Sequence, residues 1–137
     1  MTTRTQLIID WALRLIAAGL MVQSLFFKFS ASEESVYIFS TLGIEPWGRI
    51  LTGSLELVAS ILILIPATTG YGAGLAAGVL AGAIFSHLFT KLGIVVKDDH
   101  GQLFIYALII FISSLILLYR YQHQIWAVLN RFTSKGK

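Results

Sequence analysis

The chain has 137 residues, 56% of them hydrophobic and 12% charged, with a net charge of +3 and no cysteine. Soluble domains carry about 25% charged residues, so this balance argues against a soluble enzyme, and the high hydrophobicity excludes a disordered chain. The missing cysteines exclude disulfides, CxxC redox chemistry and thiolate metal sites.

The length allows one domain, and the elements read as a membrane domain over 1–137. A membrane helix needs roughly 20 mostly apolar residues. The first such stretch covers about 7–29, with Asp10, Arg14 and Lys28 inside it or at its ends. It shares features with a signal peptide: a basic start, an apolar run from Leu15 to Phe27, and the small residues Ser30, Ala31 and Ser32. Arg14 and Lys28 are out of place in a cleavable apolar core, so the stretch is read as a retained span. Ser30 and Glu33 have the spacing to cap a short helix over Glu33–Leu42, closed by Gly43. Its Val36, Phe39 and Leu42 place that helix along the outer interface.

From Leu57 to Thr90 there are 34 residues without Asp, Glu, Lys or Arg, too many for one crossing. Pro66, Thr68, Thr69 and Gly70 mark a turn near the middle. The run is therefore a hairpin, with a second helix at about 49–65 and a third at about 70–91. Pro46 suits a helix start and allows the second helix to begin a turn early. A fourth helix covers about 102–121. Asp99 and Gln102 have capping-box spacing, which makes Asp98 and Asp99 caps in preference to metal ligands. The tail, 122–137, sets Ile125, Trp126, Leu129 and Phe132 at helical spacing beside Arg131 and two lysines. It reads as an interfacial basic helix on an anionic leaflet, with too few basic residues for a nucleic-acid surface. The expected fold is all-α: an antiparallel four-helix bundle integral to the membrane.

Four crossings put both termini on one side. That side holds Arg4, Arg120, Arg131, Lys135 and Lys137; the other holds Lys28, Arg49, Lys91 and Lys97. Acidic residues count for little in orientation, and the basic excess of five to four assigns both termini to the cytoplasm of a bacterial inner membrane.

In the third span Gly70, Gly74, Gly78, Gly82 and Ser86 recur every fourth residue. Small residues at this spacing let helices approach closely in lipid. Packing within the bundle is the preferred role, and a homodimer seam is the alternative.

Charges near the bilayer centre are costly and must face the bundle interior, pair, or meet water. Arg14, Met21 and Lys28 are seven apart and form one stripe with Ala17 and Ser24. Thr52, Glu56 and Ser60 share a face of the second helix. At about 1.5 Å per residue, Glu56 lies within about 2 Å of its span's centre, Arg14 about 6 Å to the terminal side, and His87 and Lys28 about 10 and 15 Å to the other side. Tyr106 falls near the height of His87. If these stripes converge, Ser24, Lys28, Glu56, His87 and Tyr106 line a cavity in the outer half, with Arg14 below. Structural roles compete with this reading. Arg14 and Glu56 are candidates for an ion pair fixing register, Asp10 for a local partner of Arg14, Lys28 for a headgroup-seeking side chain, and His87 for a satisfied interior group. For Glu56 the functional and structural readings weigh equally; for the others the structural one is preferred. No second His or carboxylate stands at metal-ligand spacing from His87, and no Gly-rich phosphate loop is present.

The order Arg14…Gln23-Ser24-Leu25-Phe26-Phe27-Lys28, Leu42-Gly43-Ile44-Glu45-Pro46-Trp47, Thr52-Gly53-Ser54-Leu55-Glu56, Gly78…Gly82…His87 and Val96-Lys97-Asp98-Asp99-His100-Gly101-Gln102 resembles the DoxX and DoxX-like family of small four-helix membrane proteins, over about residues 10–121. The resemblance implies a membrane subunit that accompanies redox enzymes; some members belong to thiosulfate:quinone oxidoreductase. It maps the family's basic residues in the first helix, acid in the second and His in the third onto Arg14, Lys28, Glu56 and His87. Four-helix thiol–quinone enzymes are a wider kinship, but their cysteine pairs are absent here, which removes disulfide-forming activity. The resulting expectation is an accessory subunit or binding module for a redox partner, not a stand-alone enzyme. It would hold no metal or resident cofactor, with a quinone as the candidate occupant of the cavity. The alternatives are a small proton-coupled transporter of a neutral or anionic solute, and a structural or assembly protein.

Overall fold

The computed structural model describes residues 3–96 and 99–135, with backbone alone at 134 and 135. Lys97, Asp98 and Lys137, which enter the charge count and the cap assignment, lie outside the described residues, as does the Lys135 side chain. The described helices are α1 (Arg4–Phe29), α2 (Glu33–Thr41), α3 (Trp47–Leu64), α4 (Thr69–Phe89), α5 (Gln102–Arg120) and α6 (Gln122–Lys135). A 3-10 turn, Pro66–Thr68, joins α3 to α4. Four helices are long and apolar enough to cross a membrane: α1, α3, α4 with its preceding turn, and α5.

Local chemistry explains the helix ends. α1 starts one turn earlier than its hydropathy indicates because Thr3 and Gln6 form a reciprocal capping box, with Gln6 N donating to Thr3 Oγ1 at 3.1 Å and Thr3 N to Gln6 Oε1 at 3.0 Å. The N-cap of α2 is Ser32, not Ser30: Ser30 still ends α1, the chain reverses at Ala31 (φ 54°), and Ser32 Oγ accepts from Ser35 N at 3.2 Å. Gly43 closes α2 with φ 78°, as expected of a residue without a Cβ. At the hairpin, Thr68 Oγ1 donates to Leu62 O at 2.9 Å and Thr69 Oγ1 to Ile63 O at 3.0 Å. These hydroxyls satisfy carbonyls that the end of α3 leaves without helical partners.

The crossing helices form a ring in which α1 touches α3 and α5, and α4 touches α3 and α5. The core combines alanines with larger apolar side chains from all four: Ala17, Ala18 and Met21, Ala59 and Ile63, Ala73 and Ala76, Ala107 and Ile110. The outward surface is apolar instead, with Leu15, Phe26, Ile61, Phe89 and Ile112 all exposed. An apolar exterior of this extent is stable against acyl chains and not against water. The protein is an integral membrane bundle.

The tail helix is docked as well as amphipathic. Gln124 Oε1 accepts from Gly70 N at 2.7 Å, its Nε2 donates to Pro66 O at 2.8 Å, and Tyr71 Oη donates to Gln124 O at 2.9 Å. One glutamine thus ties α6 to the α3–α4 turn. Trp126, Leu129 and Phe132 remain exposed along the other face.

Candidate functional site

The α1–α3 contact builds the first half of the site. Gly53 lies so close to α1 that a Cβ there would meet the Phe29 ring at 3.0 Å and Lys28 Cβ at 3.6 Å. Arg49, buried at the start of α3, donates its Nε to Glu45 Oε1 at 2.8 Å and its Nη1 to the Lys28 carbonyl. It holds the C-terminal end of α1, where carbonyls lack helical partners, and so fixes the backbone that carries Lys28.

With the backbones in place, Lys28 Nζ reaches Glu56 Oε1 at 3.2 Å and Ser24 Oγ at 3.1 Å, while Ser24 Oγ donates to Glu56 Oε2 at 2.7 Å. Glu56 is 5% exposed. Its carboxylate is paired and hydrogen-bonded, the condition under which a buried charge persists.

α4 and α5 supply the second half. His87, 7% exposed, packs edge-on against Phe104 and hydrogen-bonds Gly93 O through Nδ1 at 2.7 Å. Because a carbonyl only accepts, Nδ1 carries the proton, and in the neutral ring Nε2 is an acceptor. Gly93 has φ 73°, a conformation suited to glycine. The same loop is braced by Asp99, whose carboxylate accepts from Val96 N at 3.0 Å, Gly101 N at 2.8 Å and Leu103 N at 3.1 Å. Asp99 therefore does cap α5, from two residues before its Gly101 N-cap. Gln102 does not complete the capping box, because it donates to Tyr106 Oη at 2.7 Å. Burial pushes the Asp99 carboxyl up, but its three backbone donors and then the nearby His87 imidazole outweigh this and hold it below the usual carboxylate value.

A folded pKa below the unfolded one stabilises above the unfolded value and is lost as pH falls through the folded one. Asp99→Asn is thus expected to melt below the wild type at neutral pH, by about 0.3–1 kcal/mol for the lost negative charge at a helix N-terminus. The difference should close as pH drops below about 4; a difference independent of pH would show that the charge of Asp99 is not what braces the loop.

Ser24, Lys28, Glu56, His87 and Tyr106 line a single cavity of about 530 Å3 in the half of the bundle away from the termini. Its size falls in the range of small-molecule sites, roughly 300–1,000 Å3. Most of the remaining wall is apolar, including Leu20, Phe27, Leu103 and Ile110.

Two expectations are corrected. Arg14 is not in the lining and does not pair with Glu56. It is 2% exposed, donates to Tyr121 Oη, and lies 4.6 Å from the Trp11 ring centroid and 5.0 Å from that of Tyr121. Nor does Asp10 serve it directly: that carboxylate binds Arg120 and accepts from Tyr121 Oη at 3.2 Å. The polar stripe of α1 winds around the helix, so its two ends meet different neighbours.

The second correction concerns the glycine ladder. Gly70 packs tightly, a Cβ there meeting Tyr121 O at 2.7 Å, and Gly74 makes an ordinary contact with Leu118 at 3.7 Å. At Gly78 and Gly82 a Cβ would meet nothing within 4 Å, and both line the cavity with Ser86. Steps of four residues advance about 40° beyond one turn, so the ladder rotates off the packed face. The close approach to α3 is at Gly72, where a Cβ would stand 2.7 Å from Ile63 N and 2.8 Å from Ala59 O.

α2, which the sequence places along the outer interface, also walls the cavity, with Ser35, Ile38, Phe39 and Leu42.

Sequence reasoning missed Arg49 and Gly93. Glu45 stands four residues before Arg49, but Pro46 between them obscured the pairing. Gly93 follows the end of α4 in Thr90-Lys91-Leu92-Gly93, a place where glycine punctuates any helix. Neither pattern points to a site without the contact that the fold creates.

The bundle and its internal polar cluster define a small integral membrane protein with a mostly apolar cavity. The chain belongs to the DoxX family, whose model matches residues 9–88. The match includes Ser24, Lys28, Glu56 and His87 and ends before α5 and Tyr106. No curated protein and no solved structure matches the chain.

Proposed function

We propose that this DoxX-family chain is a membrane binding module for a quinone, working with a redox partner protein that supplies the electrons. One observation carries the reading: the Lys28–Ser24–Glu56 cluster and His87 line one mostly apolar cavity at membrane depth. A quinone ring needs donors at its carbonyls, and the reduced quinol needs acceptors for its hydroxyls. Lys28 is a donor. Tyr106 Oη accepts from Gln102 and so keeps its own hydrogen for a ligand. Glu56 is an acceptor, as is His87 Nε2 when it carries no proton. The cavity thus offers both kinds of partner, and a two-electron reduction takes up two protons that His87 and Glu56 are placed to relay.

The test is titration of the purified protein in lipid nanodiscs with a menaquinone analogue. Wild type is expected to bind saturably. Tyr106→Phe, which removes one hydroxyl at the cavity wall, should weaken binding about three- to tenfold, the effect of one hydrogen bond. No saturable binding by wild type would overturn the reading. A pH-driven flux of a neutral or anionic solute in proteoliposomes, abolished by Glu56→Gln, would replace it with transport.

A further inference from the structure

We infer that the cavity is filled sideways from the bilayer, between α3 and α4, and that its ligand is a membrane-dissolved molecule whose apolar tail stays in that gap. The inference rests on the proposed binding role and adds the route and the ligand's shape. The α3–α4 hairpin is tight near its turn, where Gly72 abuts the α3 backbone. Val79 and Ser86 follow Gly72 at intervals of seven, which keeps them on the side of α4 that faces α3. Both line the cavity, as do Thr52 and Leu55 of α3. Between them Gly78 and Gly82 are exposed, and their missing side chains would meet no atom within 4 Å. The hairpin is therefore closed at one end and opens toward the other, along a seam without side chains on the α4 edge.

Depth decides what can use this seam. Gly78 and Gly82 lie within about 2 and 5 Å of the middle of α4 along its axis, at 1.5 Å per residue. Leu55 stands at the middle of α3. The seam therefore faces the hydrocarbon core, which water-borne solutes do not cross readily. The aqueous end of the cavity is walled instead by Ile38, Phe39 and Leu42 of α2. Inside, His87 is more than nine-tenths buried, and among the described residues no group hydrogen-bonds its Nε2. A ligand with a polar head and a long apolar tail matches both ends: the head meets Lys28, Glu56 and His87, and the tail leaves through the seam.

The experiment uses the full chain in nanodiscs with two probes, a menaquinone analogue carrying a photoreactive diazirine on its isoprenoid tail and a tail-less naphthoquinone. Irradiation is expected to label α3 near Leu55 and α4 between Gly78 and Phe85. Gly78→Leu with Gly82→Leu should melt like wild type yet slow association of the tailed probe at least about tenfold, within the span over which access changes move on-rates. Labelling confined to Phe27 and Tyr106 on the α1–α5 side, or unchanged association in the double variant, would overturn the lateral route while leaving the binding role intact. Failure of wild type to bind either probe would overturn both.

Discussion

Lys28→Met is expected to lower the unfolding free energy by about 3–5 kcal/mol, because it strands the buried Glu56 carboxylate with Ser24 as its remaining side-chain partner. The double variant Lys28→Met, Glu56→Leu removes both charges and should recover most of that loss, since an apolar replacement of a buried pair is often neutral or stabilising. Denaturant unfolding of the four proteins in one detergent gives the coupling energy. A coupling near zero would mean that Lys28 finds its partner in the headgroups and that the ion pair contributes nothing to the fold. The same cycle on Arg14 and Glu56 should give less than about 0.5 kcal/mol, because separated groups with no shared partner behave additively. Among the described residues no carboxylate pairs directly with Arg14, whose contacts are the Tyr121 hydroxyl and the Trp11 and Tyr121 rings. The cationic partner of Glu56 among the described residues is thus the lysine at the far end of α1 and not the arginine in its middle.

Gly72→Ala should destabilise by about 1–3 kcal/mol, the cost of overpacking a fitted contact. The added methyl would run into Ile63 N and the Ala59 carbonyl, which are backbone atoms that move only if α3 and α4 separate. Gly78→Ala and Gly82→Ala should be neutral or stabilising by up to about 1 kcal/mol, since their methyls enter open space and alanine favours the helix. Melting temperatures of the three variants in one detergent settle the contrast. Equal destabilisation at all three positions would restore the whole ladder as a packing seam. The open space at Gly78 and Gly82 also makes substitutions there usable tests of access to the cavity.

Much of this architecture is legible in the chain. The uncharged run from Leu57 to Thr90 exceeds one crossing and contains a turn, so a hairpin follows from length alone. Period and charge spacing put Ser24, Lys28, Glu56, His87 and Tyr106 at compatible heights, and they do line one cavity. What periodicity leaves open is which stripe meets which. Arg14 and Lys28 are fourteen residues apart, two steps of seven, and share a face, yet Lys28 meets Glu56 on α3 while Arg14 meets Tyr121 after α5. Each crossing helix touches two neighbours, and helical period says nothing about which neighbour lies beside which turn.

The sequence by itself determined the environment, the number of crossings and the polar side chains that had to be sheltered. Those follow from hydrophobic run lengths and from the cost of a charge in hydrocarbon, which are properties of residues in order. Tertiary structure alone decided the partners. It set Lys28 against Glu56, turned Gly78, Gly82 and Ser86 of the glycine ladder from seam to cavity wall, and drew α2 across the far end, because each outcome depends on how closely two helices approach and at what rotation. Those distances depend on residues far apart in the chain, such as Gly53 against Phe29 and Gly72 against Ala59, that no local pattern brings together.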